Sequence, residues 1–207
     1  TLTTGPLALA DDGRLYRCQV RGACGSATST PAEATVLRVQ EIPLEAGWQI
    51  VSLNVVPLDL ATDALFAGVA ERVVSVYAWR AGAWRLYDPA TPAASDLAAL
   101  VPGEGFWIYA SAPATLRVAG RVPAETGVPL GAGWTLAGFP AGASRALPEA
   151  LGDVGVAPDL LYGYGPAGAW RHHDPAAPSW ASTLEALVPG QGYWIRTAQE
   201  TTWTVGY

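Results

Sequence analysis

Alternation of apolar and polar residues dominates this chain and predicts short strands. Tyr16, Cys18 and Val20 alternate with polar neighbours, and Ala34 to Val39 alternates again. Leu7-Ala8-Leu9 is a shorter alternating run before the Asp11-Asp12-Gly13 turn. Trp48 to Val55 and Trp134 to Phe139 are apolar strands. Val73 to Trp79 is strongly β-forming, turns through Arg80-Ala81-Gly82, and returns as Ala83 to Tyr87. Leu160 to Tyr164 and Ala169 to His173 make a second such hairpin. Phe106 to Tyr109 and Tyr193 to Arg196 are aromatic strands, each followed by a last strand, Thr115 to Val118 and Thr202 to Val205. Helical spacing is confined to short pieces. Ala61 to Val69 carries Leu65, Phe66 and Val69 on one side, and Ala146 to Leu151 has Pro148 near its start. Asp96 to Leu100 and Thr183 to Leu187 read as helical turns capped by Ser95 and Ser182. The predicted fold class is β-rich, mixed β and α+β.

The pattern occurs twice. Gly47-Trp48 recurs 86 residues on as Gly133-Trp134, and GAWRLYDPA at 82–90 recurs at the same offset as GAWRHHDPA at 168–176. PGEGFWI at 102–108 recurs 87 residues on as PGQGYWI at 189–195, so one residue is inserted between Pro89 and Pro189. Three regions follow: 1–40, repeat module 43–118, and repeat module 129–207. The Ala119 to Val128 linker is short and holds Pro123 and Gly127, which predicts that the copies pack together. Duplication also supplies an internal control. A residue required by the shared fold should appear in both copies, and a residue serving a single site need not.

Composition narrows the function classes. Half of the 207 residues are hydrophobic, enough for packed cores, and only 14% are charged. All 12 cations are Arg, and the net charge is −6 with no basic stripe. This argues against nucleic acid, whose phosphates demand clustered cations, and against docking on anionic lipid. No apolar run approaches the ~20 residues that span a bilayer. The chain starts at Thr1, inside what reads as a domain, which suggests a processed or truncated piece.

Region 1–40 resembles the last three strands of bacterial immunoglobulin-like domains, through DDGRLYRCQV at 11–20, ACGSATS at 23–29 and ATVLRV at 34–39. The resemblance implies a tyrosine corner at Tyr16, two residues before Cys18. The strand-B Cys and strand-C Trp of such domains have no counterpart here. Either the first half of the domain lies elsewhere, or a strand from another molecule completes it. Cys18 and Cys24, the only cysteines, sit across a tight turn on adjacent predicted strands. A disulfide between them would add about 2 kcal/mol and imply an oxidising compartment.

The repeats resemble a module found in tandem in secreted and cell-surface bacterial proteins. The shared marks are the opening Gly-Trp, the central Trp followed by Tyr-Asp-Pro, and the closing Leu-x-Pro-Gly-x-Gly-Tyr-Trp-Ile. Here these are Gly47-Trp48, Trp84 with Tyr87-Asp88-Pro89, and Leu100 to Ile108. The resemblance implies an extracellular or cell-surface location and a multidomain architecture, and no reaction.

Candidate chemistry is thin. His172-His173-Asp174 holds three metal-ligand types in a row, but adjacent strand residues point to opposite faces, and copy one has no His. Asp88 and Asp174 each precede Pro, where a turn accounts for them. Glu104 is Gln191 in the other copy, which leaves a shared acid unsupported. Pro-Gly-x-Gly is followed by no Lys and leads into a strand, unlike a phosphate loop. No catalytic residue, metal or cofactor is expected. Of nine Trp, Trp48, Trp84 and Trp107 match Trp134, Trp170 and Trp194, and these six are expected in the core. The unmatched Trp79, Trp180 and Trp203 are the expected ligand or partner contacts. The expectation is a non-enzymatic structural or adhesive module. It would contact a protein partner or itself through the incomplete N-terminal domain. The alternative is a carbohydrate-binding module of a secreted enzyme.

Overall fold

The computed structural model describes residue 5 and residues 7–165 and 168–207. The protein is β-rich, with 48% of residues in strands and 9% in helices. It divides into two compact units, Thr1–Arg38 and Val39–Tyr207.

The first unit is a strip of short antiparallel pairs. β1 (Leu15–Tyr16) pairs with β4 (Ala32–Glu33), and β2 (Gln19–Gly22) forms a hairpin with β3 (Gly25–Thr28). The Asp12 carboxylate accepts the Val36 N–H at 2.7 Å, and Gly13 N–H donates to Ala34 O, which ties the first turn to the end of the strip. Leu9–Asp11 is a 3-10 turn where the alternating run suggested a strand.

The expected disulfide does not form. Both thiols are free and exposed. Gln19 pairs with Thr28 and Gly22 with Gly25, so Cys18 stands at the open end of the hairpin and Cys24 at its tip. Four strand residues at ~3.3 Å each put about 13 Å between them, whereas a disulfide requires Cα atoms within about 7 Å.

The second unit holds both repeat copies. Copy one runs β5 (Arg38–Leu44), β6 (Gly47–Ser52), β7 (Val56–Pro57), α1 (Thr62–Phe66), β8 (Val73–Arg80), β9 (Ala83–Tyr87), β10 (Gly105–Ala110) and β11 (Ala114–Arg121). Copy two runs β12 (Glu125–Leu130), β13 (Gly133–Gly138), β14 (Arg145–Ala146), β15 (Leu160–Tyr164), β16 (Trp170–His173), β17 (Ala186–Leu187), β18 (Gly192–Thr197) and β19 (Thr201–Gly206). Each copy has one four-stranded antiparallel sheet, ordered β6-β10-β8-β9 and β13-β18-β15-β16. In copy one the inner face packs Val76, Phe106 and Ile108 with Leu44, Leu116 and Val118 of the sheet β5-β11-β7. In copy two Tyr193, Ile195 and Leu161 pack with Val128, Leu130 and Val205 of β12-β19.

The helical turns expected at Asp96 to Leu100 and Thr183 to Leu187 are extended segments instead, the second ending in β17. The N–H groups of Asp96 and Leu97 both donate to Leu86 O, and those of Thr183 and Leu184 both donate to His172 O. Ser95 and Ser182 cap no helix there. Their hydroxyls accept the N–H of Asp88 and Asp174 at 2.9 and 3.2 Å and pin the strand ends. Burying Leu97 and Leu184 in their cores favours this extended path over a polar-faced helical turn.

The two copies are joined by reciprocal contacts. Ser52 N–H donates to Gly190 O and Gly138 N–H to Gly103 O, both at 2.9 Å. Val51 bridges Gln191, and Ala137 bridges Glu104. Each pair is the other shifted by one repeat, the mark of an isologous, two-fold interface. The second Gly of each Pro-Gly-x-Gly turn lies under the neighbouring copy. A Cβ on Gly192 would stand 2.4 Å from Ile50 Cγ2, and one on Gly105 would stand 2.8 Å from Ala137 O. Only a residue without a side chain fits. Gly192→Ala is therefore expected to destabilise the second unit by about 1–3 kcal/mol. Gly68→Ala, where a Cβ meets nothing within 4 Å, should stay within about 0.5 kcal/mol. Denaturant unfolding of the three proteins compares them; equal midpoints would contradict the close approach.

Candidate binding site, a duplicated aromatic face

The matched Trp residues are not core. Trp48, Trp84, Trp134 and Trp170 are 46%, 45%, 40% and 51% exposed, and Trp107 and Trp194 are half-buried. Strand alternation is the reason. In β10, Phe106, Ile108 and Ala110 point inward and are buried, which sends Trp107 and Tyr109 to the outer face. Aliphatic residues and Phe or Tyr rings already fill the thin sandwich interior, so the indoles collect on the opposite side.

The unmatched Trp residues have three different fates. Trp203 is 1% exposed, stacks on Phe139 at 5.7 Å, and donates its Nε1–H to Ala150 O at 3.2 Å. It is core, contrary to expectation, because inward positions of β19 face the copy-two core. Trp180 is 85% exposed on the turn Ser179–Ala181. Trp79 is half-buried within the aromatic face. It also has a counterpart after all. Tyr77 pairs with Trp107 as Tyr162 pairs with Trp194, so Trp79 corresponds to Tyr164. The copy-two hairpin turn is one residue longer, which shifts the alignment. Matching Tyr-Ala-Trp at 77–79 with Tyr-Gly-Tyr at 162–164 would have shown it.

Ring contacts cross between the copies in matched pairs. Trp107 meets Tyr164 at 5.0 Å and Trp170 at 5.9 Å. Trp194 meets Trp79 at 6.2 Å and Trp84 at 6.0 Å. Within copies, Trp48 meets Tyr77 at 5.9 Å, and Trp134 meets Tyr162 at 5.7 Å. Most of these pairs are edge-to-face, a favourable arrangement for π-systems. Two open grooves result, of about 770 and 720 Å³. One is walled by Trp134, Tyr162, Trp170 and Trp194 of copy two, with Trp79 of copy one. The other is walled by Trp48, Tyr77, Trp84 and Trp107 of copy one, with Tyr164, Trp170 and Trp194 of copy two. They are two editions of one site. Each is completed by aromatic rings from the other copy, Trp79 in the first and Tyr164, Trp170 and Trp194 in the second.

The electrostatics of the face are nearly neutral. Among the described residues, no charged side chain lines either groove. At the edge, Arg196 lies 5.6 Å over Trp134, where copy one has Tyr109 against Trp48 at 5.0 Å. Arg80 and Glu104 flank Trp79 and neutralise each other in a two-pronged ion pair at 2.5 and 2.6 Å. Copy two replaces that pair with Gln191, whose Oε1 accepts the Tyr193 hydroxyl at 3.2 Å. Burial pushes the Tyr193 phenol up to about 12, and its oxygen also accepts the Val188 N–H at 2.7 Å.

Other candidate groups serve structure. Asp88 and Asp174 accept the N–H of Ala90 and Ala176 at 2.8 and 2.9 Å, closing Asx turns. His172 and His173 lie on opposite faces. His172 joins the outer rings, 6.1 Å from Tyr162, whereas His173 occupies the place of the buried Tyr87. No group of three or more potential metal ligands gathers among the described residues. No family model, curated protein or solved structure matches the chain.

Desolvation holds the His173 imidazole below its ordinary value of 6.5, and its Nε2 is buried without a hydrogen-bond partner. The unfolded chain binds that proton more readily, so stability is full above 6.5 and falls as the pH drops below it. The melting temperature is expected to decline between about pH 7 and pH 5, and His173→Tyr should flatten that decline. Equal slopes in thermal melts of the two proteins would contradict the assignment.

Proposed function

We propose that this chain is a non-enzymatic, carbohydrate-binding module of an extracellular or cell-surface bacterial protein. Its binding face is the duplicated aromatic groove. One observation carries this reading. Rings repeated in both copies lie open to solvent around two neutral grooves, where core packing does not account for them. Contiguous aromatic rings left open on a protein surface mark an interaction site. Exposed indole and phenol rings offer flat, polarisable faces that suit the C–H faces of pyranose rings, and their N–H and O–H groups donate to sugar hydroxyls. The location rests on the resemblance of the repeats, since the separated thiols remove the argument from an oxidising compartment. No helix among the described residues is long and apolar enough to cross a membrane.

Protein contact is the second reading, favoured by a different surface. Leu15 and Val20 of the first unit are each 64% exposed, on the short strand pairs β1-β4 and β2-β3, whose free edges a strand from another chain could extend.

The test is electrophoresis in native gels cast with hydroxyethylcellulose, xylan, galactomannan or laminarin. At least one should retard the protein. Trp84→Ala and Trp170→Ala should each weaken that retardation about tenfold or more, equivalent to about 1.4 kcal/mol. Retardation by none, or retardation that both variants leave intact, would contradict the proposal.

A further inference from the structure

The two grooves form one site. We infer that a single neutral, unbranched glycan chain crosses the seam between the copies and occupies both grooves at once; this rests on the carbohydrate-binding reading above. Trp170 and Trp194 are walls of both grooves, so the grooves adjoin at these two rings. Each volume lies in the range of a small-ligand pocket, which gives the pair room for several sugar rings.

Charge selects the occupant. The lining carries no charged group among the described residues, and the chain bears −6 overall, so a polyanionic glycan is repelled and a neutral one is not. Symmetry selects further. Reciprocal docking relates the grooves by a two-fold, so a chain crossing both meets them in opposite directions. Stacking on a π-face is blind to chain direction, whereas hydrogen-bond readout of a peptide backbone is not. A polymer of repeating rings bound by stacking satisfies both halves.

The seam is where affinity is set. Trp79 completes the copy-two groove and Tyr164 the copy-one groove. Both rings contact the central indoles, Trp79 on Trp194 and Tyr164 on Trp107. Removing either ring opens one groove and also breaks the path between them.

Calorimetric titration with cello-, xylo- and manno-oligosaccharides of two to eight units tests this. For the series that binds, affinity should rise about 100-fold or more from the shortest to the longest member, as linked binding predicts. Stoichiometry should fall from two short ligands per protein to one long ligand. Trp79→Ala and Tyr164→Ala should each cost the longest ligand about tenfold, while Trp79→Tyr, the ring copy two uses, retains binding. Long and short members binding alike at two per protein would overturn the single-chain inference and leave the carbohydrate reading standing. So would an unchanged affinity in Trp79→Ala. No binding by any oligosaccharide, or decaproline binding to the same rings in their place, would overturn both.

Discussion

Everything in the second unit depends on the close approach of two backbone turns to two neighbouring strands. Each Pro-Gly-x-Gly turn delivers a carbonyl to the end of β6 or β13 in the other copy, through Gly190 to Ser52 and Gly103 to Gly138. The contact is possible because Gly105 and Gly192 present no side chain where Leu136 and Ile50 press down. The first Gly of each turn serves a different need. Gly103 and Gly190 have φ of 84° and 82°, the left-handed region that glycine occupies at least cost. One short motif therefore sets both the turn and the docking, and docking fixes which outer faces become neighbours.

The aromatic face follows from that placement. Neither copy alone closes a groove, because Trp79 and Tyr164 cross the seam to do it. The rings shield one another through edge contacts, which lets large apolar groups stand partly in water without collapsing into the core. Stability and recognition thus draw on the same contacts. The outer indoles link the copies, and their remaining exposed faces are available to a ligand.

Much of this was legible in the sequence. The repeat, the β-rich class, the hairpins and the turn-forming Asp-Pro pairs follow from spacing and from the chemistry of Pro, Gly and Asp. Some of it was not. Period-two alternation separates inner from outer positions without saying which face meets the core, so Trp107 and Phe106 were equally credible inside. Burial of the smaller Phe106, beside Leu and Val, decides it. The duplication control also had a blind spot. A residue kept in both copies need not be core if the site itself was duplicated. Trp203 misled in the opposite direction, since its counterpart in copy one is the smaller Leu116, and a larger ring fills the same core layer. The cysteines looked close because their separation in sequence is small, whereas an extended hairpin arm holds them apart.

Aromatic-edited nuclear Overhauser spectroscopy on protein with isotopically labelled Trp and Tyr tests the central claim most directly. The account predicts cross-peaks between the rings of Trp107 and Tyr164, and between those of Trp194 and Trp79, with indole N–H protons that exchange with water. Cross-peaks from Trp84 and Trp170 to the buried methyls of Leu97 and Leu187, with no contact across the seam, would contradict it.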